Sequence, residues 1–169
     1  HSEFICDVCF AGDWSAGREN LVLSLIEAGL DLRVYGPWQN KLAANSPILP
    51  YLHHGFFNPE EMSNYFCSAK LVLNFHTWYG KSDHGVNPRL FEAAGCRVVQ
   101  LVDAKLELAQ LFDINSCLAV YETLEELPSL IKSLLADPAR CKNMAKSAYQ
   151  RALQEHTYQH RMRKMLSYL

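Results

Sequence analysis

What this sequence has little of narrows its function before any motif is read. No apolar run approaches the roughly 20 residues of a membrane-spanning helix, and the opening residues do not read as a signal peptide. No membrane span is therefore expected. The formal net charge is only -2, which gives no general attraction to nucleic acid or an anionic bilayer. Two phosphate-binding fingerprints are missing. Gly12 is followed by Asp13 and Trp14, so the G-x-G-x-x-G of dinucleotide sites is not met. Gly12 to Gly17 has P-loop spacing but continues Arg18-Glu19, and Glu19 would repel phosphate where a hydroxyl should hold magnesium.

Metal ligands are equally sparse. Of the six cysteines, Cys6 and Cys9 have C-x-x-C spacing, but they fall in Phe4-Ile5-Cys6-Asp7-Val8-Cys9-Phe10, which reads as a strand. Residues three apart on a strand are expected on opposite faces, and no second pair follows at zinc spacing. Cys67, Cys96, Cys117 and Cys141 lie scattered among apolar neighbours, as reduced core thiols do, which points to a cytoplasmic setting. His156 and His160 stand four apart on an expected helix without a third clustered ligand, so no metal site is expected.

What is present is a strong alternation. Hydrophobic residues make up 49% of the 169 and charged residues 20%, which suits one globular domain, here taken as residues 1–169. Strands are expected at Phe4–Ala11, Leu32–Gly36, Leu71–Phe75, Arg97–Leu101 and Cys117–Val120, with a short one within Ile48–His54. Helices are expected at Arg18–Ala28, Pro59–Ser68 and Glu107–Phe112, and throughout the chain from Glu122 onward. Strands separated by helices imply an α/β, doubly wound, mostly parallel sheet with C-terminal helices. Ligands of such sheets sit at the carboxyl ends of the strands, which directs attention to the loops after Ala11, Gly36, His54, Phe75 and Val102.

The chain is organised around Asn87 to Asp103, a loop, a short helix and a strand. Asn87 is expected to cap the helix with Pro88 in its first turn, and Gly95 to end it. Glu92, about a turn and a half from that helix start, is placed to accept hydrogen bonds from sugar hydroxyls beside an anion site. Arg18 has two readings, a solvated helix start or a ligand contact; its charge is unfavourable to the helix dipole there. The stretch from His76 to Arg89 is rich in donors and cations, and reads either as a binding loop or as an ordinary surface loop.

Four segments together carry a resemblance: Ala69-Lys70-Leu71-Val72-Leu73-Asn74-Phe75, then Asn87-x-Arg89-Leu90-Phe91-Glu92-Ala93-Ala94-Gly95, then Glu125-Glu126-Leu127 through Leu135-Ala136-Asp137-Pro138, then Glu155-His156-Thr157-Tyr158-x-His160-Arg161. They resemble the donor-binding, C-terminal half of GT-B glycosyltransferases, in particular the group-1-like, CgeB-type (spore-maturation) enzymes. The resemblance implies a Rossmann-like domain that binds a nucleotide-diphosphate sugar, UDP- or GDP-linked. It further implies an N-terminal acceptor-binding domain as partner and no metal at the diphosphate.

By that resemblance Glu92 binds the donor ribose. Gly85, Val86, Asn87 and Arg89 belong to the loop and helix start that hold the diphosphate. Gly12 and Arg18 lie near the same phosphates, with Lys81 as a further cation. Main chain at Gly55 and Phe56 holds the base. Where the common retaining pattern has a glutamate eight residues before the ribose glutamate, this chain has His84, the one candidate for a catalytic role. The alternative function is a catalytically silent nucleotide-binding or protein-interaction module of the same fold.

Overall fold

The computed structural model of the protein describes residues 5–53, 58–76 and 80–169. The expected base-binding residues Gly55 and Phe56 lie outside the described residues, as do Phe4, His54 and residues 77–79.

Alternating apolar runs become strands, and helices return the chain between them. β1 (Cys6–Ala11), α1 (Ala16–Glu27), β2 (Leu32–Tyr35) and the two-residue β3 (Leu52–His53) form the first half. α2 (Pro59–Cys67), β4 (Ala69–Asn74), α3 (Arg89–Gly95), β5 (Val99–Asp103), α4 (Leu108–Leu111) and β6 (Ala119–Tyr121) form the second. α5 (Leu127–Leu135), α6 (Pro138–Glu155) and α7 (Tyr158–Leu166) follow. The six strands are parallel in the order β3-β2-β1-β4-β5-β6. The order reverses at β1, whose neighbours are β2 on one side and β4 on the other, so a crevice opens between the carboxyl ends of β1 and β4.

The period-two alternation of the central strands separates two packed faces. Val8, Phe10, Leu71, Leu73 and Leu101 bury against Leu21 and Leu25 of α1 and Ile131 and Leu134 of α5. On the other face Cys9, Ala11 and Val72 meet Met62 and Phe66 of α2 and Ala93 of α3. Leu90 and Ala94 of α3 pack with Val102, Leu108 and Phe112, closed over by Ala148 and Ala152 of α6. Each fully buried Leu, Ile or Phe among these contributes about 1.5–3 kcal/mol by leaving water.

Local expectations change in four places. Asn87 does not cap α3: Pro88 occupies the cap position with no side-chain bond, and the Asn87 amide is committed to Asn74 instead. Gly95 closes α3, but the left-handed residue that redirects the chain is Arg97, with φ 56°. Cys6 and Cys9 are both buried in one apolar cluster rather than on separate faces, and burial pushes the Cys6 thiol up to about 11. The helical tail breaks twice, at Asp137, whose side chain accepts from Arg140 N, and at Thr157, whose hydroxyl accepts from His160 N.

Candidate functional site

The crevice at the reversal of strand order is a cleft of about 300 Å³. Gly12 and Asp13 after β1, Arg18 of α1, Asn74 and Phe75 at the end of β4, and Asn87, Pro88, Arg89 and Glu92 at the start of α3 all border it. A larger cavity of about 580 Å³ lies at the opposite, amino-terminal end of β4 and β5, beside Ala69, Lys70, Val98 and Val99. In a doubly wound sheet the carboxyl-end cleft is the ligand end, so the smaller cavity is the candidate.

Arg18 is the most unusual residue of the cleft, at only 9% exposed. Ser15 starts its helix, accepting from Arg18 N at 3.3 Å. The guanidinium donates to the carbonyls of Asp13 at 2.9 Å and Phe75 at 2.8 Å, and lies 5.4 Å from the Phe10 ring centroid. Its Nε has no hydrogen-bond partner, and no carboxylate forms an ion pair with it among the described residues. Burial pulls its pKa below the ordinary arginine value, with Asp13 acting in the opposite sense and Arg89 adding to the depression. Of the two readings of Arg18, the solvated one is excluded.

The Arg18 pocket depends on two glycines. A Cβ on Gly12 would sit 3.2 Å from Arg18 Nη1. A Cβ on Gly36 would sit 2.2 Å from the Gly12 carbonyl, which also accepts from Trp38 Nε1 at 2.8 Å. Only glycine at 36 lets the chain after β2 pass that close.

Arg89 and Glu92 face each other across one helical turn at 3.5 Å, both partly exposed. Arg89 also contacts Met62 Sδ and lies 5.8 Å from the Phe66 ring centroid, so α2 supports its side chain. The cleft thus brings together Gly12, Arg18, Asn87, Arg89 and Glu92 from the sequence-level candidates. Lys81, His84, Gly85 and Val86 do not border it. Lys81 is exposed. Val86 packs into the apolar cluster around Leu90 and Val102. The His84 side chain is 70% exposed and pairs with Glu107 Oε1 at 3.0 Å, while Gly85 N donates to Glu107 Oε2 at 3.1 Å. The hydrogen bond from His84 holds the Glu107 carboxyl below its ordinary value.

Sequence reasoning missed a buried polar network beneath this loop. The side chains of Asn74 and Asn87 exchange hydrogen bonds at 2.8 and 3.1 Å, and Asn74 also donates to Gln100 Oε1 at 2.8 Å. Gln100 in turn donates to the Leu90 carbonyl at 3.1 Å. Asp103 Oδ1 takes the His76 ring at 2.6 Å and the His76 main-chain N–H at 2.9 Å. Asp103 Oδ2 lies 2.9 Å from Lys105 Nζ, an ion pair buried on both sides. Burial pushes the Asp103 carboxyl up, but the bonds from His76 and the Lys105 contact outweigh it, and its pKa lies below the ordinary 3.8. One signal was available: Asn74, Gln100 and Asp103 each interrupt an otherwise apolar run in a central strand, and polar groups buried there need partners.

Comparisons with known proteins bear on the fold and the family. A search among curated proteins found no match. Among solved structures, HepE of Anabaena in complex with UDP and glucose superposes with a TM-score of 0.75 at 15% identity, covering 99% of this chain and 49% of that one. Sucrose-phosphate synthase from Thermosynechococcus elongatus gives 0.72 at 12% identity, covering 96% and 44%. The C-terminal domain of a group 1 family glycosyl transferase, LpcC of Francisella tularensis, gives 0.67 at 8% identity, covering 92% and 88%. These likenesses show the fold, and the chain spans about half the length of the first two. Residues 18–167 match the family described as glycosyl transferase-like, and with that match over most of its length the chain belongs to this glycosyltransferase family.

Proposed function

We propose that this chain is the donor-binding domain of a glycosyltransferase, holding a nucleotide-diphosphate sugar, UDP- or GDP-linked, in the cleft between β1 and β4. The observation that carries the reading is Arg18. A nearly buried guanidinium with an unbonded Nε and, among the described residues, no carboxylate ion pair is a cation set to meet an anion. Arg89 lies near enough to depress it further, and two like charges sharing a small cleft suit a diphosphate that neutralises both. Glu92, on the same rim, is the acceptor for ribose hydroxyls; donor binding would draw Arg89 from Glu92 toward phosphate.

With two cations supplied by the protein, no metal is assigned to the diphosphate. The reaction moves the sugar from the diphosphate to an acceptor hydroxyl. That acceptor must come within about 3–3.5 Å of the anomeric carbon in a site that excludes water. Such a site needs a second surface facing the cleft, so an N-terminal acceptor-binding domain is part of the proposal. The half-length coverage of HepE and sucrose-phosphate synthase supports it. The CgeB-type placement rests on the Asn-x-Arg-x-Phe-Glu and His-Thr-Tyr-x-His-Arg segments, and the cytoplasmic setting on six cysteines that are all free thiols.

His84 has no cleft contact in this structure, and no catalytic role is assigned to it. The test is calorimetry of the purified chain with UDP, GDP and their glucose conjugates. Saturable binding of one nucleotide series, weakened about ten- to hundredfold in Arg18→Met, is expected. Absence of binding to all four would overturn the donor reading in favour of an interaction module.

A further inference from the structure

The buried network beneath the 80–88 loop contains a histidine that is not among the residues lining the candidate cleft. His76 follows β4 and is fully buried, as is Asp103 at the end of β5. Its protonation pattern follows from its partners. Asn87 N–H can only donate, and it meets His76 Nε2 at 3.0 Å, so Nε2 carries the lone pair. The ring proton therefore sits on Nδ1, directed at Asp103 Oδ1, 2.6 Å away. Asp103 fixes both the tautomer and the ring orientation, as carboxylates do behind ligating or catalytic histidines.

Burying a histidine, an aspartate and a lysine together is costly compared with apolar residues of the same size, so packing alone does not explain the group. Its bonds share a destination. Besides the bond from Asn87 N–H to His76, Lys105 donates to the Ser82 carbonyl at 3.0 Å. The adjoining segment continues the pattern, with Leu106 N donating to the Asp83 carbonyl at 2.9 Å and Glu107 accepting from Gly85 N at 3.1 Å. The end of β5 thus clamps residues 82–87 at several points. The last of them, Asn87, is also clasped by Asn74 two residues before Arg89.

We infer that His76, oriented by Asp103, is a positioning residue for donor binding: it latches Asn87 and so sets the cleft edge that presents Arg89 and Glu92. The inference rests on the donor reading above and adds a residue that touches no donor. His76→Leu keeps the volume and removes both bonds. His76→Gln offers an amide donor and a carbonyl acceptor in place of the ring's N–H and lone pair. Asp103→Asn keeps the shape and the acceptor to Nδ1–H while losing the charge facing Lys105.

Each variant is measured by hydrogen exchange with mass-spectrometric readout and by calorimetry with UDP and GDP, well below its unfolding temperature. For His76→Leu the expected result is faster exchange confined to residues 80–88 and at least about tenfold weaker affinity for the nucleotide that wild type binds. His76→Gln recovers most of both, and Asp103→Asn falls between. Wild-type exchange in the loop of His76→Leu, or wild-type affinity, overturns the latch. Exchange that rises evenly across the sheet marks a structural role only and overturns it as well. If His76→Leu does not fold, Asp103→Asn decides by the same two readouts. If wild type binds neither nucleotide the donor reading fails, and the exchange arm alone still upholds or overturns the hold on the loop.

Discussion

Asn74 and Asn87 are bonded to each other twice, each amide donating to the other's carbonyl oxygen, at 3.1 and 2.8 Å. This reciprocal pair joins the end of β4 to the start of α3, and so ties the floor of the cleft to the rim carrying Arg89 and Glu92. Asn87→Ala leaves the Asn74 amide short of partners in a largely buried place, a loss of about 1–3 kcal/mol. The expected outcome is a lower unfolding temperature together with weaker nucleotide binding, read by thermal denaturation and calorimetry on the same sample.

Removing the Arg18 charge is expected to weaken binding of UDP or GDP about ten- to hundredfold, the equivalent of one strong charge-assisted contact. Arg18→Lys does not restore it, because a single ammonium cannot reach the Asp13 and Phe75 carbonyls and a phosphate together. Equal affinity in Arg18→Met and wild type would remove Arg18 from the site.

Glu92→Ala is expected to cost roughly 1.5–3 kcal/mol of nucleotide affinity through lost hydrogen bonds to ribose. The 2′-deoxynucleotide separates this from a simple charge effect. Wild type should discriminate against it and the variant should not.

Gly36→Ala drives a Cβ to 2.2 Å from the Gly12 carbonyl, a main-chain atom that cannot swing aside. Overpacking of this kind costs about 1–3 kcal/mol. At roughly 2–4 °C of unfolding temperature per kcal/mol for a chain of this size, calorimetric scanning resolves it easily. Gly12→Ala, whose Cβ would press on Arg18 at 3.2 Å, is expected to disturb nucleotide affinity more than stability.

The Asp103 carboxyl is held below its ordinary value, so its contribution to stability has a defined sign with pH. The contribution is fully present above the unfolded carboxylate range and is lost as pH falls through the lower folded value. Asp103→Asn should therefore lower the unfolding temperature near neutrality and flatten its decline between about pH 5 and pH 2. A variant whose acid limb parallels wild type would show that other carboxylates dominate there.

The architecture was legible because its signal is repetitive. The five longer strands announce themselves as apolar runs between helical segments, and helices between strands imply parallel pairing, whereas the strand order has no local signal. β3 was barely legible because an edge strand of two residues needs no apolar pattern. The cap at Asn87 was misread for a physical reason: local propensity favours Asn before a helix, but a buried partner at Asn74 competes for the same amide and wins. That Arg18 and Glu92 would border the carboxyl-end cleft was legible from their place relative to a helix start. The His76–Asp103 pair was not, since its members lie 27 residues apart and meet only when β4 and β5 lie side by side.

The reversal of strand order at β1 also dictates when the cleft comes into being. β1 pairs first with β2, its close neighbour in sequence, but its other edge waits for β4, where Cys6 faces Ala69. During synthesis the ribosome therefore releases β1 to β3 with one long edge of β1 bare, a row of unpaired amides and carbonyls rich in apolar side chains. Such an edge is a template for intermolecular pairing until β4 covers it. The strand that later floors the binding cleft is thus the one most exposed to aggregation while the chain is incomplete, and slow synthesis between residues 53 and 69 would lengthen that exposure.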